Sequence, residues 1–419
     1  MTSLLAIGDI HLGRTPAALH ADLAARAGQL GPKAAWSRAV TEAINHQVDA
    51  VLLAGDVVER SRDLLVAYGD LKSGVEKLAT AGIPVLAVAG NHDTLVLPRL
   101  AREIEALQLL GAEGRWQERS VGKLSVIGWS FPRPQVRHSP LKDFPQPGEP
   151  ERTIGLLHCD RDQAGSAYAP VSSAELRSAP TAAWLLGHIH QPDRLEAPRP
   201  MGYLGSLSAL RASETGPRGP WLLTWDEATG LAIEHLPLAP LRYEVLSIDV
   251  SDLHQPEQIA EASLAATRKL ASALADQAFQ PDVVGLRLCL TGTCRFPRQL
   301  PALIDQLVTE SRPWKEHDML FFIQKVSVET TLDFDLHAVA GGSDPCALLA
   351  QRVLILRDCS HEQHQALLDQ ARNRMARIAG LREFQPLDLE IDDARLRKWL
   401  EHAGLRALLE LLGQRRGAS

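Results

Sequence analysis

Carboxylate, amide and imidazole side chains recur in this sequence where short apolar runs end. Five of the six runs end in or are followed by Asp, Asn or His, in the segments GDIH, GDVVE, GNHD, LLHCD and GHIH. The residues concerned are Asp9, His11, Asp56, Asn91, His92, Asp93, His158, His188 and His190. Carboxylates supply charge and can bridge two cations, and neutral imidazoles suit transition metals. The combination predicts a metal site.

Each segment taken alone has a simpler interpretation. A Gly-Asp or Gly-Asn pair after a strand is commonly a turn, since Gly and Asn tolerate left-handed backbone, and an Asp such as Asp93 can cap a helix. His158 can be a core histidine. His188 and His190 point to the same side of an extended segment, which by itself is weak support for a metal. The metal site therefore depends on all the segments meeting in one place.

The apolar runs predict buried strands of an α/β domain. They cover residues 3–8, 49–55, 83–90, 123–129, 152–158 and 182–188, with helical periodicity near 34–47 and 64–81. Alternation of strand and helix is typical of α/β folds. In such sheets, sites gather beyond the carboxyl ends of the strands. The polar segments are therefore expected to meet at one edge.

Proline-rich segments divide the chain further. Residues 131–151 predict a loop, and the cluster LPLAPLRYEV at 236–245 marks a domain boundary. Beyond it the pattern predicts strand 242–250, helix 256–275, strand 283–291, helix 297–311 and strand 319–331, followed by mostly helical sequence. We expect a domain with the metal site over 1–238, a small α+β domain over 239–340 and a helical tail over 341–419.

Composition places limits on the class of protein. The chain has 419 residues, of which 45% are hydrophobic and 23% charged, as in a globular protein of more than one domain. Its net charge of −7 argues against coating nucleic acid by bulk charge, though not against a local basic surface. The N-terminus has no basic region of a signal peptide, no apolar run is long enough to span a bilayer, and the five cysteines are scattered. We expect a cytoplasmic protein with reduced, mostly buried thiols.

The order GDxH, GDxxE, GNHD, H and GHxH resembles that of the calcineurin-like metallophosphoesterases. The resemblance implies a sandwich of two β-sheets flanked by helices and a site for two divalent metal ions. Asp9, His11 and His190 correspond to ligands of one ion, Asn91, His158 and His188 to ligands of the second, and Asp56 to the bridging carboxylate. His92 corresponds to a catalytic histidine over the scissile phosphate, which Asp93 would orient.

Further segments resemble DNA repair nucleases. The stretch GYLGSLSALRASETGPRGPWLL is similar to the Y-P-G-S block of the SbcD type, with Leu204 in place of the proline. The stretches GWSFPRPQVRHSPL, AYAPVSSAELR and LAPLRYEVLSIDV are closer still to the YhaO-like exonucleases. The resemblance implies a manganese-dependent DNA phosphodiesterase, a capping domain that contacts DNA, and an SbcC-like coiled-coil ATPase partner. It leaves open whether two copies of the chain form a homodimer.

Two residues near these motifs need separate interpretation. Some members of the family carry a histidine three residues after the bridging aspartate, where this chain has Glu59. A carboxylate cannot act as an imidazolium beside phosphate, so we expect Glu59 to be a solvated loop acid. Among the basic loop residues, Arg14 follows His11 closely and is the candidate for contact with DNA phosphates.

Alternatives to the nuclease remain at this stage. One is a phosphatase or phosphodiesterase for small-molecule or protein phosphoesters on the same fold, and another is a DNA-end-binding subunit without activity. The tail also allows two interpretations, because residues 392–412 predict a helix with an apolar stripe. The stripe can pack on the capping domain, or it can dock on the ATPase partner.

Overall fold

The computed structural model describes residues 1–332, 335–379 and 392–417. The chain forms two compact units. The first contains Met1–Asp249, Gln255–Thr291 and Arg298–Glu329, and the second contains Val250–His254, Gly292–Pro297 and Thr330–Ser419. The predicted three domains, with boundaries at residues 238 and 340, are not the same as these two units, and that division stays a prediction.

A six-stranded sheet forms one half of a sandwich in the first unit. Its order is β11-β10-β1-β2-β3-β4, and β1 to β4 are parallel while β10 and β11 are antiparallel. The strands are β1 (Thr2–Ile7), β2 (Ala50–Leu53), β3 (Val85–Ala87), β4 (Leu107–Leu109), β10 (Trp221–Asp226) and β11 (Gly230–His235). The first three are apolar on both faces, as expected for parallel strands covered on both sides.

A five-stranded sheet forms the other half, in the order β5-β6-β7-β8-β9. Its strands are β5 (Gln117–Val121), β6 (Leu124–Trp129), β7 (Thr153–His158), β8 (Ala183–Gly187) and β9 (Met201–Tyr203). Strands β6 to β9 run parallel. The two sheets pack face to face through one buried cluster that includes Leu52 and Leu86 from the first sheet and Val126 and Leu156 from the second.

Helices cover the outer faces of the sandwich. Helices α2 (Pro32–Asn45), α3 (Leu64–Thr80) and α4 (Leu97–Glu103) cover the six-stranded sheet, where Trp36, Leu71 and Leu100 pack in the cluster that also buries Val51. The short helix α1 (Ala27–Leu30) instead buries Leu30 with Tyr243 and Phe322. On the opposite face, Leu176 of α5 (Ser173–Ser178) packs in a cluster with residues of β7 and β8. The predicted sandwich of two sheets flanked by helices is confirmed.

A third sheet completes the first unit. It has four strands in the order β12-β13-β16-β15, with bounds β12 (Leu241–Asp249), β13 (Val283–Thr291), β15 (Trp314–Glu316) and β16 (Met319–Val328). Helix α6 (Gln258–Ala275) packs on β12, and α7 (Leu300–Thr309) packs on β16. The Tyr243 hydroxyl donates to the carbonyl of Ala17 over 2.6 Å, and Arg38 donates to Asp282 over 2.6 Å. These contacts join the sheet to the sandwich.

The second unit is mainly helical. It contains a short pair of parallel strands, β14 (Thr293–Cys294) and β17 (Thr331–Leu332), and helices α8 (Leu336–Ala340), α9 (Pro345–Arg357), α10 (His364–Ala379) and α11 (Asp393–Gly417). Leu408 of α11 is fully buried with Val353 of α9, and Leu396 packs with Leu368 of α10. The predicted helix over 392–412 is confirmed, and its apolar stripe packs on helices of its own unit.

The described helices and the cysteines show two further features. None of the helices in the described part of the chain combines the length and apolar character needed to cross a membrane. Four of the cysteines are buried and unpaired, and Cys359 is exposed. The expectation that the thiols are mostly buried agrees with this pattern.

Candidate metal centre

Parallel strands bring the predicted ligands to one edge of the sandwich. Asp9 follows β1, Asp56 follows β2 and Asn91 follows β3, while His158 ends β7 and His188 follows β8. Donor atoms of Asp9, His11 and His190 lie within 4.8 Å of one another, and so do those of Asp56, His158 and His188. The segments that were separate in sequence therefore form one polar cluster.

The backbone at this edge is held in an unusual conformation. Positive φ angles occur at Asp9 (35°), His11 (55°), Asp56 (48°) and His188 (105°). Such angles cost energy in residues other than glycine and concentrate at functional sites. Main-chain contacts stabilise them, since the amide of His11 donates to the carbonyl of Asp56 over 2.9 Å and that of His188 to the Asp9 carboxylate over 3.0 Å. At Gly90, a Cβ atom would collide with the Asp56 carboxylate.

On the Asp9 side, two imidazoles face each other through ring nitrogens. Nε2 of His11 lies 3.1 Å from Nε2 of His190. Their outer nitrogens lie against carboxylates: Nδ1 of His11 is 2.8 Å from Oε2 of Glu59, and Nδ1 of His190 is 2.8 Å from Oε1 of Glu214. The hydrogen bond from Nδ1 of His190 to Glu214 places the hydrogen of that ring on its outer nitrogen. The Glu59 carboxylate favours the same tautomer of His11 by its charge and proximity, without the geometry of a hydrogen bond. In this state the inner nitrogens present lone pairs. Facing lone pairs fit a cation held between them and Asp9.

On the Asn91 side, three acceptors converge in the same manner. His158 directs Nδ1 to the carbonyl of Ala54 at 3.0 Å, and His188 directs Nε2 to Oδ1 of Asp160 at 3.2 Å. The remaining nitrogens, Nε2 of His158 and Nδ1 of His188, lie 3.2 Å apart. Oδ1 of Asn91 is 3.0 Å from the first and 3.1 Å from the second. This donor set fits a second cation.

Asp56 lies between the two groups. Its Oδ2 is 3.4 Å from Nε2 of His158, and its Oδ1 accepts the main-chain N–H of His92 over 2.9 Å. Burial opposes ionisation of Asp56, but the neighbouring His158 and His11 outweigh it and hold its pKa below the ordinary value. Burial likewise opposes protonation of His158, yet the Asp56 carboxylate raises the pKa of His158 to about 9. The site attracts positive charge, and metal binding would displace such protons.

A known protein family matches the part of the chain that forms this polar edge. Residues 2–192 match the calcineurin-like phosphoesterase family. These residues form a calcineurin-like phosphoesterase domain. Residues 243–331, which contain the third sheet, match the middle domain of the metallophosphoesterase YhaO. The resemblance stated from the sequence motifs is confirmed for these two parts of the chain.

Curated relatives of this phosphoesterase domain include DNA repair proteins. The chain is 28% identical over 192 residues to the uncharacterized metallophosphoesterase YhaO of Bacillus subtilis, covering 44% of this chain and 47% of that protein. It is 29% identical over 241 residues to the DNA double-strand break repair protein Mre11 of Aeropyrum pernix, covering 52% and 56%. With the Mre11 protein of Haloferax volcanii it shares 29% identity over 194 residues, covering 44% and 42%. The chain spans about half the length of these relatives.

In the phosphoesterase domain, His92 lies beside the paired acceptor groups with an exposed ring. Its Nδ1 contacts the carbonyl oxygen of Glu59 at 3.0 Å, and its Nε2 is 4.0 Å from Oδ2 of Asp56. The side chain is 42% exposed, whereas Asp56 is 3% exposed. Donor atoms of His11, Asp56 and His92 also lie within 4.8 Å of one another, so this group offers a further cation position.

The prediction that Asp93 orients His92 is corrected by the structure. Asp93 is fully buried, and its Oδ2 accepts the amides of Val57 over 2.7 Å and Val58 over 3.4 Å. Its Oδ1 accepts the amide of Gly90 over 2.8 Å. Burial and the nearby Asp56 raise the pKa of Asp93 to about 7. Asp93 joins two ligand-bearing loops, and the Glu59 carbonyl orients His92 instead.

The expectation for Glu59 is also wrong. Glu59 is 8% exposed rather than solvated, and its carboxylate contacts His11. Contact with His11, against the opposing effect of burial, holds the pKa of Glu59 at about 2. Arg14 lies with Nη1 3.4 Å from Oε2 of Glu59, and its side chain is 24% exposed. The predicted DNA-contacting arginine is therefore partly covered, with its charge paired to Glu59.

Three residues that support the candidate metal centre were not identified as such from the sequence. Asp160 stands two residues after His158, a spacing that could have drawn attention to it. Glu214 lies in a segment where nothing in the pattern marks a partner for His190. Arg218 is 2% exposed, and its guanidinium donates to the carbonyls of His190 and Thr215. It braces the loop that carries His190.

Proposed function

We propose that this chain is a DNA phosphodiesterase, an exonuclease of the SbcD/YhaO type that acts in DNA repair with two divalent metal ions. The observation that carries the proposal is the pair of acceptor groups on either side of Asp56, with the exposed ring of His92 beside them. A YhaO middle domain in the same chain and similarity to Mre11 proteins support DNA as the substrate.

The side chains have separable tasks in this proposal. Two bound metal ions would lower the pKa of a water molecule and neutralise phosphate oxygens. Asp56 supplies the negative charge shared by both positions. His92, as imidazolium, donates Nδ1–H to the Glu59 carbonyl, which leaves Nε2–H free to stabilise charge on the phosphate or protonate the leaving oxygen. Asp93 holds the loops that carry Asp56 and His92.

The chemistry of the donors supports manganese. Imidazole nitrogens, an amide oxygen and carboxylates suit manganese, iron or zinc, whereas magnesium favours oxygen ligands and retains water. The nuclease resemblance favours manganese among these metals.

Contact with DNA needs positive charge near the site. Arg14 remains a candidate, although Glu59 pairs with it. Arg133 and Arg137 are exposed on the loop that begins at Phe131, whose ring lies 5.7 Å from that of His158. These two arginines therefore extend from a loop anchored at the metal centre and complement Arg14 in the proposal.

The ATPase partner is proposed from the sequence resemblance. The apolar stripe of α11 cannot serve as the docking surface while it fills the core of its own unit. Trp399 is 39% exposed on the same helix and offers a test residue. Trp399→Ala should weaken co-purification with a coiled-coil ATPase of the SbcC type without loss of manganese-dependent cleavage. Unchanged co-purification would exclude Trp399 from the contact surface, and a wild-type chain that does not co-purify with the ATPase would remove the partner from the proposal.

The principal competing function is hydrolysis of small-molecule or protein phosphoesters on the same fold. The test compares end-labelled duplex and single-stranded DNA with p-nitrophenyl phosphate esters, each with and without manganese. The proposal predicts metal-dependent shortening of DNA from its ends. His92→Ala protein, purified identically, serves as the control for contaminating nuclease. Turnover of the p-nitrophenyl esters with intact DNA would favour the competing function.

A further inference from the structure

Glu59 contacts two histidines of the site by different groups. Its carboxylate Oε2 lies 2.8 Å from Nδ1 of His11 and 3.4 Å from Nη1 of Arg14. Its main-chain carbonyl lies 3.0 Å from Nδ1 of His92. The side chain is 11% exposed, so water competes little for these contacts. Only the carboxylate contact depends on the identity of residue 59.

That carboxylate fixes how His11 can bind a cation. The negative charge of Glu59, 2.8 Å from Nδ1, favours a hydrogen on that nitrogen, although the contact lacks hydrogen-bond geometry. Nε2 then carries the lone pair, and this nitrogen is the one that faces His190. Without an acceptor at position 59, the ring would be free to place its hydrogen on Nε2 or to rotate. Either change removes a ligand atom from the position formed with Asp9.

The opposite position has its own supporting acid. Asp160 contacts Nε2 of His188 at 3.2 Å and leaves Nδ1 directed at His158 and Asn91. Neither Glu59 nor Asp160 contacts a histidine of the other position in the described structure. The two acids therefore support different histidines, although both positions share Asp56.

We propose that Glu59 is a positioning residue that sets the metal affinity of the Asp9–His11–His190 position alone, as Asp160 does for the Asn91–His158–His188 position. This inference rests on the proposed two-metal function. Outer partners of this kind typically change metal affinity by about 10–100-fold. Glu214 still orients His190 when Glu59 is changed, so binding at the first position is weakened rather than abolished.

The experiment measures manganese binding in full-length protein reduced to one position at a time. His158→Ala keeps the first position, and His190→Ala keeps the second. Glu59→Leu or Asp160→Leu is added to each background, and Mn²⁺ is titrated into metal-free protein while free Mn²⁺ is followed by electron paramagnetic resonance. Melting curves of every variant check that the chain is folded.

Glu59→Leu should weaken manganese binding about 10–100-fold in the His158→Ala background and leave it unchanged in the His190→Ala background. Asp160→Leu should show the reverse pattern. Glu59→Gln, whose amide oxygen keeps a partial negative charge beside Nδ1 of His11, should retain more affinity than Glu59→Leu. If Glu59→Leu fails to fold, Glu59→Gln takes its place in the comparison.

Equal weakening in both backgrounds, or none in either, would overturn the inference about Glu59. If the wild-type chain nevertheless binds two manganese ions, the proposed function still stands. A wild-type chain that binds two ions and shows the crossed pattern but leaves DNA intact would instead contradict the proposed substrate. The two failures are therefore distinguishable.

Discussion

Asp56 combines burial, negative charge and contact with both halves of the site. The side chain is 3% exposed, lies 3.4 Å from His158, and belongs with His11 to a second group of close donor atoms. Because one carboxylate balances charge on both sides, its loss should affect both metal positions together.

Asp56→Asn should abolish phosphoester hydrolysis and reduce manganese loading at both positions. The amide oxygen of Asn can still accept the main-chain N–H of His92, so the fold should be retained. Activity and metal content per chain, by elemental analysis, check the result. Asp70→Asn is the control for loss of one charge, because Asp70 lies on α3 and pairs only with Lys33 of α2 among the ion pairs of the described residues. Two metals per chain in Asp56→Asn would disprove the bridging role.

His92→Ala should separate chemistry from metal binding. The ring is exposed and its main-chain N–H remains available to Asp56, so metals and DNA binding should persist. Loss of a general acid of this type costs about 10²–10⁴-fold in rate. Single-turnover cleavage, metal content and DNA affinity are compared with His46→Ala, which changes a histidine at the end of α2. Loss of a metal in His92→Ala would make His92 a ligand.

At the scale of elements, the loops after β2 and β3 depend on each other through Asp93. Both of its carboxylate oxygens accept main-chain N–H groups, from Val57, Val58 and Gly90. Asn at this position would direct an NH₂ group at one set of donors. Asp93→Asn should therefore lower the free energy of unfolding by about 1–3 kcal/mol, as expected for an unsatisfied buried group.

Chemical denaturation of Asp93→Asn measures this loss directly. Metal affinity should fall with stability, because the same loops carry Asp56 and Asn91. Asp63→Asn, which changes a partly exposed acid directly before α3, is the control. Unchanged stability with a reduced rate would restore the role first predicted for Asp93, orientation of His92.

The sequence alone predicts the buried strands and the convergence of the predicted metal ligands at one edge of the sheets. An apolar run such as AVLL, bounded by turn residues, favours a buried strand, and parallel strands place their carboxyl ends at one edge. It could not predict that Glu59 contacts His11 or that Glu214 contacts His190, since those contacts depend on the paths of loops from distant segments. The predicted role of Asp93 was wrong for the same reason. Asp93 follows His92 directly in the sequence, but its carboxylate contacts the amides of other loop residues instead of the His92 ring.

At the scale of the whole molecule, the C-terminal unit depends on its last helix. Leu396 and Leu408 of α11 are 1% and 0% exposed, in clusters with residues of α9 and α10. The cut near residue 386 that would remove this helix lies outside the described residues. The truncated chain should lose the cooperative melting of the second unit, because Val353 and Leu356 would be exposed.

The phosphoesterase site lies in the first unit, so truncated protein should retain manganese-dependent hydrolysis if it stays soluble. Calorimetry and the esterase assay on the same sample check both expectations, with Leu348→Ser, at an exposed position of α9, as the control for a surface change. An unchanged melting profile after truncation would show that α11 is dispensable to its unit. That result would return the apolar stripe to the role of a docking surface.

Anomalous diffraction from crystals grown with manganese can show whether two metal positions flank Asp56. Data collected on both sides of the manganese absorption edge locate each ion without reference to activity. We expect two peaks, one among Asp9, His11 and His190 and the other among Asn91, His158 and His188, with Asp56 between them. A single peak, or a second ion bound by His92 instead of by Asn91, His158 and His188, would show that two metal positions do not flank Asp56.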